Sequence, residues 1–164
     1  MLQIKKELII SFMERKIDLN YLIKNYPKKN DDIDICTDLR EAFLLKDSDA
    51  VELLLFFGEV VQYDYKCINQ LNELIVSEWH RKHEDLARLL DRYKEPSSVD
   101  YLYKVSLMNL EYLEYDEDFA LAEKCIRAMG KIGTSDAIKY LKLLNSSDNE
   151  KIRRIAEKVL SKIS

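Results

Sequence analysis

The sequence predicts an all-α protein, and three observations carry that prediction. Only three Gly and two Pro occur among the 164 residues. That is about 3 % against roughly 12 % in average proteins, whereas sandwiches, barrels and Rossmann sheets need frequent glycine-containing turns. Apolar residues recur at helical spacing throughout. The second half repeats itself at an interval near 40 residues, which is typical of an α-solenoid of antiparallel helical hairpins, so we expect about eight to nine helices in one domain, 1–164.

Apolar spacing in residues 1–77 predicts helices in five stretches. Pro27 should end the second helix, because proline cannot continue it, and the charged stretch 28–34 should form a loop. The unbroken apolar run 53–57 marks the fourth helix as buried, and we expect Gly58 to permit close helix packing there. No repeat registers in this half, so we expect degenerate helical hairpins. The five stretches are residues 8–13, 19–26, 38–46, 49–61 and 67–75.

Residues 78–164 carry the internal repeat. A shift of 39 residues places Leu86 on Cys125 and brings six further apolar or aromatic positions onto one another, ending with Leu102 on Leu141. A shift of 31 then places 121–132 on 152–163, because the turns differ in length. A helix, a tight turn, a second helix and a return at this period predict stacked helical hairpins.

Turn and capping residues in residues 78–164 predict the same helix boundaries as the internal repeat. The stretches 97–100 (Ser-Ser-Val-Asp) and 147–150 (Ser-Asp-Asn-Glu) both fit capping boxes at helix N-termini. Pro96 should open a helix, and Gly130 with Gly133 should form the turn where another helix ends.

The stretch Ala120–Ile138 resembles a HEAT repeat of the short bacterial type found in phycobilin-lyase-like proteins. That type ends one helix with Ala-Leu-Gly-x-Ile-Gly and opens the next with Ala-Ile. Here residues 128–133 read Ala-Met-Gly-Lys-Ile-Gly, and Lys151–Ala156 is similar to the Val-Arg-x-x-Ala that begins a later helix. The resemblance covers about residues 84–163 and implies a HEAT-like solenoid.

Residues 78–163 also resemble small HEAT-like proteins of bacterial toxin loci. The stretches that carry this likeness are 79–85 (Trp-His-Arg-Lys-His-Glu-Asp), 95–103 and 111–117 (Glu-Tyr-Leu-Glu-Tyr-Asp-Glu). Those proteins are immunity proteins, which bind and neutralise a cognate toxin in the producing cell. The resemblance therefore implies a protein partner, a toxin with a basic surface, and a chain that is monomeric when free.

Charge is distributed unevenly and bears on the choice of partner. Residues 47–123 carry eighteen acidic and seven basic residues, whereas residues 124–164 carry four acidic and ten basic ones. An acidic middle argues against nucleic acid and for a basic protein partner, although a solvated acidic face explains it equally well.

A signal peptide and a membrane-length apolar run are both missing, and three widely spaced cysteines suit free thiols in a reducing cytoplasm.

The sequence offers little for catalysis. His80 and His83 share a helix face and could contribute two ligands to a metal, but no further ligand set accompanies them. The alternative is that His83 packs with Trp79 and bonds to a turn. Each cysteine lies among apolar neighbours, where a thiol is usually inert. We therefore expect no enzyme activity, no catalytic residue, no metal and no cofactor.

The best interaction candidate is the acidic, tyrosine-rich segment between two helices of the repeat. Tyrosine offers a rigid contact surface, and clustered carboxylates pair with Arg or Lys of a partner. Alternatively, Tyr112 or Leu113 caps the core, and Asp116 or Asp118 caps the following helix. The candidate protein-binding residues are Glu111, Tyr112, Glu114, Tyr115, Asp116 and Glu117.

Two other functions fit the same fold. A scaffold or adaptor protein cannot be separated from an immunity protein by sequence, because fold does not decide function. HEAT-like repeats also occur in alkylpurine DNA glycosylases, which cradle the phosphate backbone with a basic face. The only candidate for such a face lies in the basic C-terminal segment and includes Lys151, Arg153, Arg154 and Lys158.

Overall fold

The structure, a computed structural model, describes residues 1–163. These residues form ten α-helices and two 3₁₀ turns, with no strand, which confirms the all-α prediction and exceeds the expected eight to nine helices. None of the helices in this part of the chain has the length and apolar character needed to cross a lipid bilayer. The chain divides into two compact units, unit 1 (Met1–Gln70) and unit 2 (from Leu71 on).

Unit 1 contains four complete helices, each close to a predicted stretch. Pro27 follows the second helix as predicted, and residues 27–34 form the loop before the third. Aspartates at positions 18, 34 and 47 begin three of the helices, and each carboxylate accepts a hydrogen bond from a backbone N–H of the first turn. The helices are α1 (Leu2–Met13), α2 (Leu19–Asn25), α3 (Ile35–Leu45) and α4 (Ser48–Val60).

The core of unit 1 forms around α4, whose predicted burial is confirmed. Leu54 and Phe57 are fully buried, and α4 packs against α1 and α3. Gly58 does not serve the close helix packing that we expected. A Cβ at Gly58 would lie 1.9 Å from the hydroxyl oxygen of buried Tyr65, so the glycine makes room for a tyrosine ring from the following loop.

A buried polar cluster joins three segments of unit 1. Asp38 of α3 is only 2 % exposed, accepts a hydrogen bond from the Tyr26 hydroxyl at 2.7 Å and pairs with the Lys5 ammonium of α1. Burial, and then the bond to Asp38, raises the pKa of Tyr26, so its hydroxyl remains a donor. A carboxylate buried in this way needs both partners, because an unpaired charge in the interior is costly.

The prediction of three free cysteines is wrong for two of them. Cys36, at the start of α3, forms a disulfide with Cys67, and their Cα atoms lie 5.9 Å apart. Apolar neighbours suggested inert thiols, but sequence spacing does not show that the loop before the fifth helix returns to α3. Cys125 is a free, fully buried thiol, as predicted, and burial raises its pKa, so it stays protonated.

The remaining helices belong mainly to unit 2. They are α5 (Ile68–Ile75), α6 (His83–Tyr93), α7 (Val99–Ser106), α8 (Ala120–Ile132), α9 (Ser135–Leu144) and α10 (Glu150–Ile163). α5 begins in the last residues of unit 1, and the others lie entirely within unit 2. In unit 2, α8 packs against α6, α7, α9 and α10, while α7 and α10 each also pack against α9.

Of the two glycines that were predicted to form the turn after a helix, only Gly133 does so. Gly133 ends α8 with a left-handed φ of 67°, which glycine adopts without strain. Gly130, by contrast, lies inside α8 and not in the turn. A Cβ at Gly130 would lie 2.4 Å from Cγ1 of Val159, so its absence lets α10 approach α8 closely.

The two capping boxes are not formed as predicted. Pro96 does open a helical segment, a 3₁₀ turn (Pro96–Ser98) that runs into α7, so the N-cap of α7 is Ser98 and not the predicted Ser97, and Ser98 makes no side-chain cap. At α10, Asn149 provides the cap, because its Oδ1 accepts from the Ile152 amide at 3.2 Å. Ser147 instead accepts from the Asn149 amide and so shapes the turn before the helix.

Candidate functional site

The acidic, tyrosine-rich segment lies between α7 and α8 and is held by consecutive tight turns. A 3₁₀ turn (Glu111–Leu113) begins it, and the Asp116 amide donates to the Leu113 carbonyl at 2.9 Å. Leu110 is only 7 % exposed and fixes the start of the segment to the core. Short turns of this kind place successive side chains on different sides, so some face inward and others face water.

Tyr112 faces inward and bonds to a buried histidine pair. Its hydroxyl lies 2.7 Å from Nδ1 of His83, and the two rings stack with centroids 5.5 Å apart. Burial raises the pKa of Tyr112 to about 12, which keeps the hydroxyl protonated and able to donate. The Tyr112 side chain therefore packs against the core, as in the alternative interpretation, and its hydroxyl is already hydrogen-bonded within the chain.

The hydrogen bonds of the two histidines define their neutral tautomers. His80 donates from Nε2 to the Leu74 carbonyl at 2.7 Å and accepts at Nδ1 from the Lys82 amide at 3.0 Å. His83 donates from Nε2 to the Ser77 carbonyl at 2.7 Å, which leaves Nδ1 to accept from Tyr112.

The pKa values of both histidines favour the neutral rings. Burial lowers the pKa of His80. Burial, and then the charge of the neighbouring His80, lowers the pKa of His83 to about 4. The rings stack with centroids 4.2 Å apart, and all four ring nitrogens are occupied. Within residues 1–163, no three His, Cys, Asp or Glu side chains are grouped to hold a metal ion. The hydrogen bonds of the two rings join them to the Leu74 and Ser77 carbonyls and to Tyr112 of the acidic segment.

The Asp116 side chain bonds to the start of α8. Its carboxylate accepts from the Ala120 amide at 2.9 Å and from the Asp118 amide at 3.1 Å. A carboxylate at a helix N-terminus is stabilised by the unpaired backbone N–H groups and by the helix dipole. The N-cap position of α8 is Phe119, with a left-handed φ of 54°, so neither Asp116 nor Asp118 is the N-cap residue that the alternative named, although the Asp116 carboxylate accepts from the first amide of α8.

The other four candidate residues face solvent. Glu111, Glu114 and Glu117 are exposed, and Tyr115 is 91 % exposed, the most exposed of the large hydrophobic side chains in the described part of the chain. The Lys151 ammonium of α10 bonds to the backbone carbonyl of Glu117, which tethers the segment while leaving the Glu117 carboxylate in water. An exposed aromatic ring among carboxylates is the composition of an interaction surface.

Two of these residues, Glu111 and Glu114, line a cleft of about 670 Å³ in unit 2, whereas Tyr115 and Glu117 lie on the same segment outside its lining. Glu111, Glu114 and Asp116 supply carboxylates along one edge. The end of α7, the start of α8 and the start of α10 contribute to the walls, where apolar side chains lie beside the polar residues Ser106, Asn109, Ser147 and Asn149. The apolar lining residues are Val105, Leu107, Met108, Leu110, Leu113, Phe119, Leu121, Ala122 and Ile152.

Only part of the cleft, which combines acidic and apolar side chains, could be predicted from the sequence. The acidic segment was recognisable from composition, but Ile152, which completes the apolar lining, is separated from it by the hairpin of α8 and α9. Leu107, 47 % exposed at the end of α7, is the one floor residue whose exposure marks it as unusual.

Comparison with protein-family models, curated proteins and solved structures finds no match for the chain.

Proposed function

We propose that this chain is a protein-binding helical-repeat protein whose acidic cleft captures a basic partner, and that it acts as an immunity protein by occluding the active site of a cognate toxin. The observation that carries the proposal is the cleft itself. Carboxylates of Glu111, Glu114 and Asp116 border a cleft lined by apolar and polar side chains, and the exposed ring of Tyr115 belongs to the same segment. Such a site accepts an apolar anchor flanked by Lys or Arg.

Contacts between residues 40 positions apart support a HEAT-like solenoid. Glu84 pairs with Lys124 at 3.1 Å, and Asp91 pairs with Lys131 at 2.9 Å. The third such contact is a hydrogen bond from the Tyr140 hydroxyl to Asp100 at 2.7 Å. Successive repeats pack side by side in a solenoid, so contacts between residues one position beyond the 39-residue repeat shift fit that architecture.

The electrostatics of the cleft suit rapid capture of a cationic protein. Five carboxylate residues lie within residues 111–118, against one lysine, Lys151, that reaches the segment from α10. Complementary charge accelerates encounter and is screened by salt. We infer that the complex is stoichiometric, that the free chain is monomeric, and that the cationic active-site surface of the toxin is covered.

Protection from toxicity is the direct functional test. The chain is co-expressed with the toxin encoded beside its own gene, and growth is compared for wild type and for Glu111→Lys, Glu114→Lys and Glu117→Lys combined. We expect wild type to protect and the triple variant to lose protection. A matched triple variant, Glu14→Lys, Glu95→Lys and Glu157→Lys, makes the same charge change at exposed positions elsewhere and should protect fully. Equal protection by both variants would remove the cleft from the mechanism.

The cytoplasmic location belongs to the same proposal and has its own test. Disulfides are rare in the cytosol, where thioredoxin and glutathione keep thiols reduced. A cytoplasmic chain should therefore carry Cys36 and Cys67 as a dithiol in living cells, even though their geometry permits the bond. Acid trapping followed by maleimide labelling reads the redox state, and a fully oxidised pair would argue for an oxidising compartment.

A further inference from the structure

A second groove lies in unit 2 between α8 and α10, away from the cleft. Its volume is about 470 Å³, and Ile155, Val159 and Ile163 of α10 supply apolar side chains to it. Ile163 is 40 % exposed, so the groove presents apolar surface to water. Gly130 shapes it, because the missing Cβ allows the side chain of Val159 to lie directly against α8.

Cations border this groove on both helices. Two belong to α8 and three to α10, while Glu123 is the one carboxylate among the lining residues. Three of these cations already pair with carboxylates, Arg127 with Glu123, Arg154 with Glu150 and Lys131 with Asp91, so Lys158 and Lys162 carry most of the attraction for an approaching anion. The five cationic residues are Arg127, Lys131, Arg154, Lys158 and Lys162.

The neighbouring seam, between α6 and α8, is balanced differently. There, carboxylates of α6 pair with lysines of α8, as in the bond from Lys131 to Asp91 at 2.9 Å. Among the described residues, no ion pair joins α8 to α10 across the groove. Arg127 and Arg154 instead pair along their own helices, with Glu123 and Glu150 respectively. Lys158 and Lys162 are exposed on α10.

We propose that this groove binds an acidic amphipathic helix of a partner protein. The apolar floor would receive side chains spaced at i, i+3 or i+4 and i+7, and Asp or Glu on either side would pair with the cationic rims. The α10 lining runs from Arg154 to Ile163, about 14 Å at 1.5 Å per residue, which matches a partner helix of about three turns. A phosphate backbone would meet the cations but leave the apolar floor unfilled.

Fluorescence anisotropy with synthetic peptides tests this assignment on the full chain. The probe is a labelled 14-residue peptide with Leu at i, i+3, i+4 and i+7 and Glu at the flanking positions. Two controls accompany it, a scrambled peptide of the same composition and a peptide with Lys in place of every Glu. We expect the acidic amphipathic peptide to bind at least tenfold more tightly than either control, with affinity falling as salt rises. Equal binding of the scrambled peptide would overturn the proposal.

Paired charge reversals locate the binding. Lys158→Glu with Lys162→Glu should weaken peptide binding at least tenfold, whereas Lys139→Glu with Lys142→Glu, exposed on α9, should change it less than threefold. Circular dichroism confirms that each variant is helical. Equal weakening by both pairs would overturn the assignment, as would a 20-base-pair DNA duplex that bound more tightly than the peptide.

Discussion

At the scale of single residues, the buried histidine pair has the clearest energetic consequence. His83 is fully buried and its pKa is lowered to about 4, against 6.5 for a free histidine. The unfolded chain therefore binds a proton on His83 more readily than the folded chain does. The resulting stability is fully present above pH 6.5 and is lost as the pH falls from 6.5 to 4, by at most about 3 kcal/mol.

A comparison of wild type with His83→Gln measures this contribution. Gln keeps a donor for the Ser77 carbonyl but does not titrate. Chemical denaturation at a series of pH values should show the stability difference between the two proteins shrinking between pH 6.5 and 4. Carboxylates titrate in both proteins and cancel in the difference. Parallel stability curves would show that the His83 ring is not held neutral by the fold.

Residue roles were predictable where they depend on local backbone, and not where they depend on distant neighbours. Pro27 and Gly133 act through their own dihedral angles, and both end helices as predicted. Gly58 and Gly130 act through rings or methyl groups from other segments. Nothing near them in sequence identifies Tyr65 or Val159 as the neighbour.

At the scale of elements, helix positions followed from apolar periodicity, but cap residues did not. The predicted stretch 49–61 is α4 (Ser48–Val60), because periodicity reports burial of a face. At α10 the stretch 147–150 offers three residues that can cap, and the pattern Ser-x-x-Glu favoured the wrong one. Which of the three residues caps the helix depends on where the preceding turn ends. Two bonds to Ser147 hold that turn: its hydroxyl accepts from the Asn149 amide, and its carbonyl accepts from the Arg153 guanidinium.

Alanine substitutions distinguish the two capping arrangements. Asn149→Ala should lower the free energy of unfolding by about 1 kcal/mol, since it removes the acceptor for the Ile152 amide. Ser147→Ala removes only a bond within the turn and should cost less than half as much. Urea denaturation of both variants provides the comparison. A larger loss for Ser147→Ala would restore the predicted capping box.

At the scale of the whole molecule, the disulfide is the feature furthest from sequence reasoning. Cys36 and Cys67 are separated by 31 residues and are brought together by the folding of α3, α4 and the loop that follows. The repeat in unit 2, by contrast, was visible because similar segments recur. A recurring pattern can therefore be recognised in the sequence alone, whereas a single contact between distant residues becomes known only from the folded structure.

Reduction of the disulfide should destabilise unit 1. A closed loop of this length restricts the unfolded chain, and the chain-entropy relation gives a loss of about 3 to 4 kcal/mol on reduction. Denaturation with and without dithiothreitol measures the change. Cys36→Ser with Cys67→Ser should abolish the sensitivity to reductant, and Cys125→Ala should retain it. Unchanged stability on reduction would show that the bond does not form in solution.

The proposed capture of a basic toxin by the cleft of unit 2 is tested most directly by the affinity of the chain for that proposed partner. Titration calorimetry would compare wild type, the combined Glu111→Lys, Glu114→Lys and Glu117→Lys variant, and its matched control. Since like charges placed opposite one another cost several kcal/mol, Kd should rise at least about 100-fold for the cleft variant. It should stay within threefold for the control. An unchanged Kd with unchanged salt dependence would contradict the assignment of the acidic cleft as the binding site.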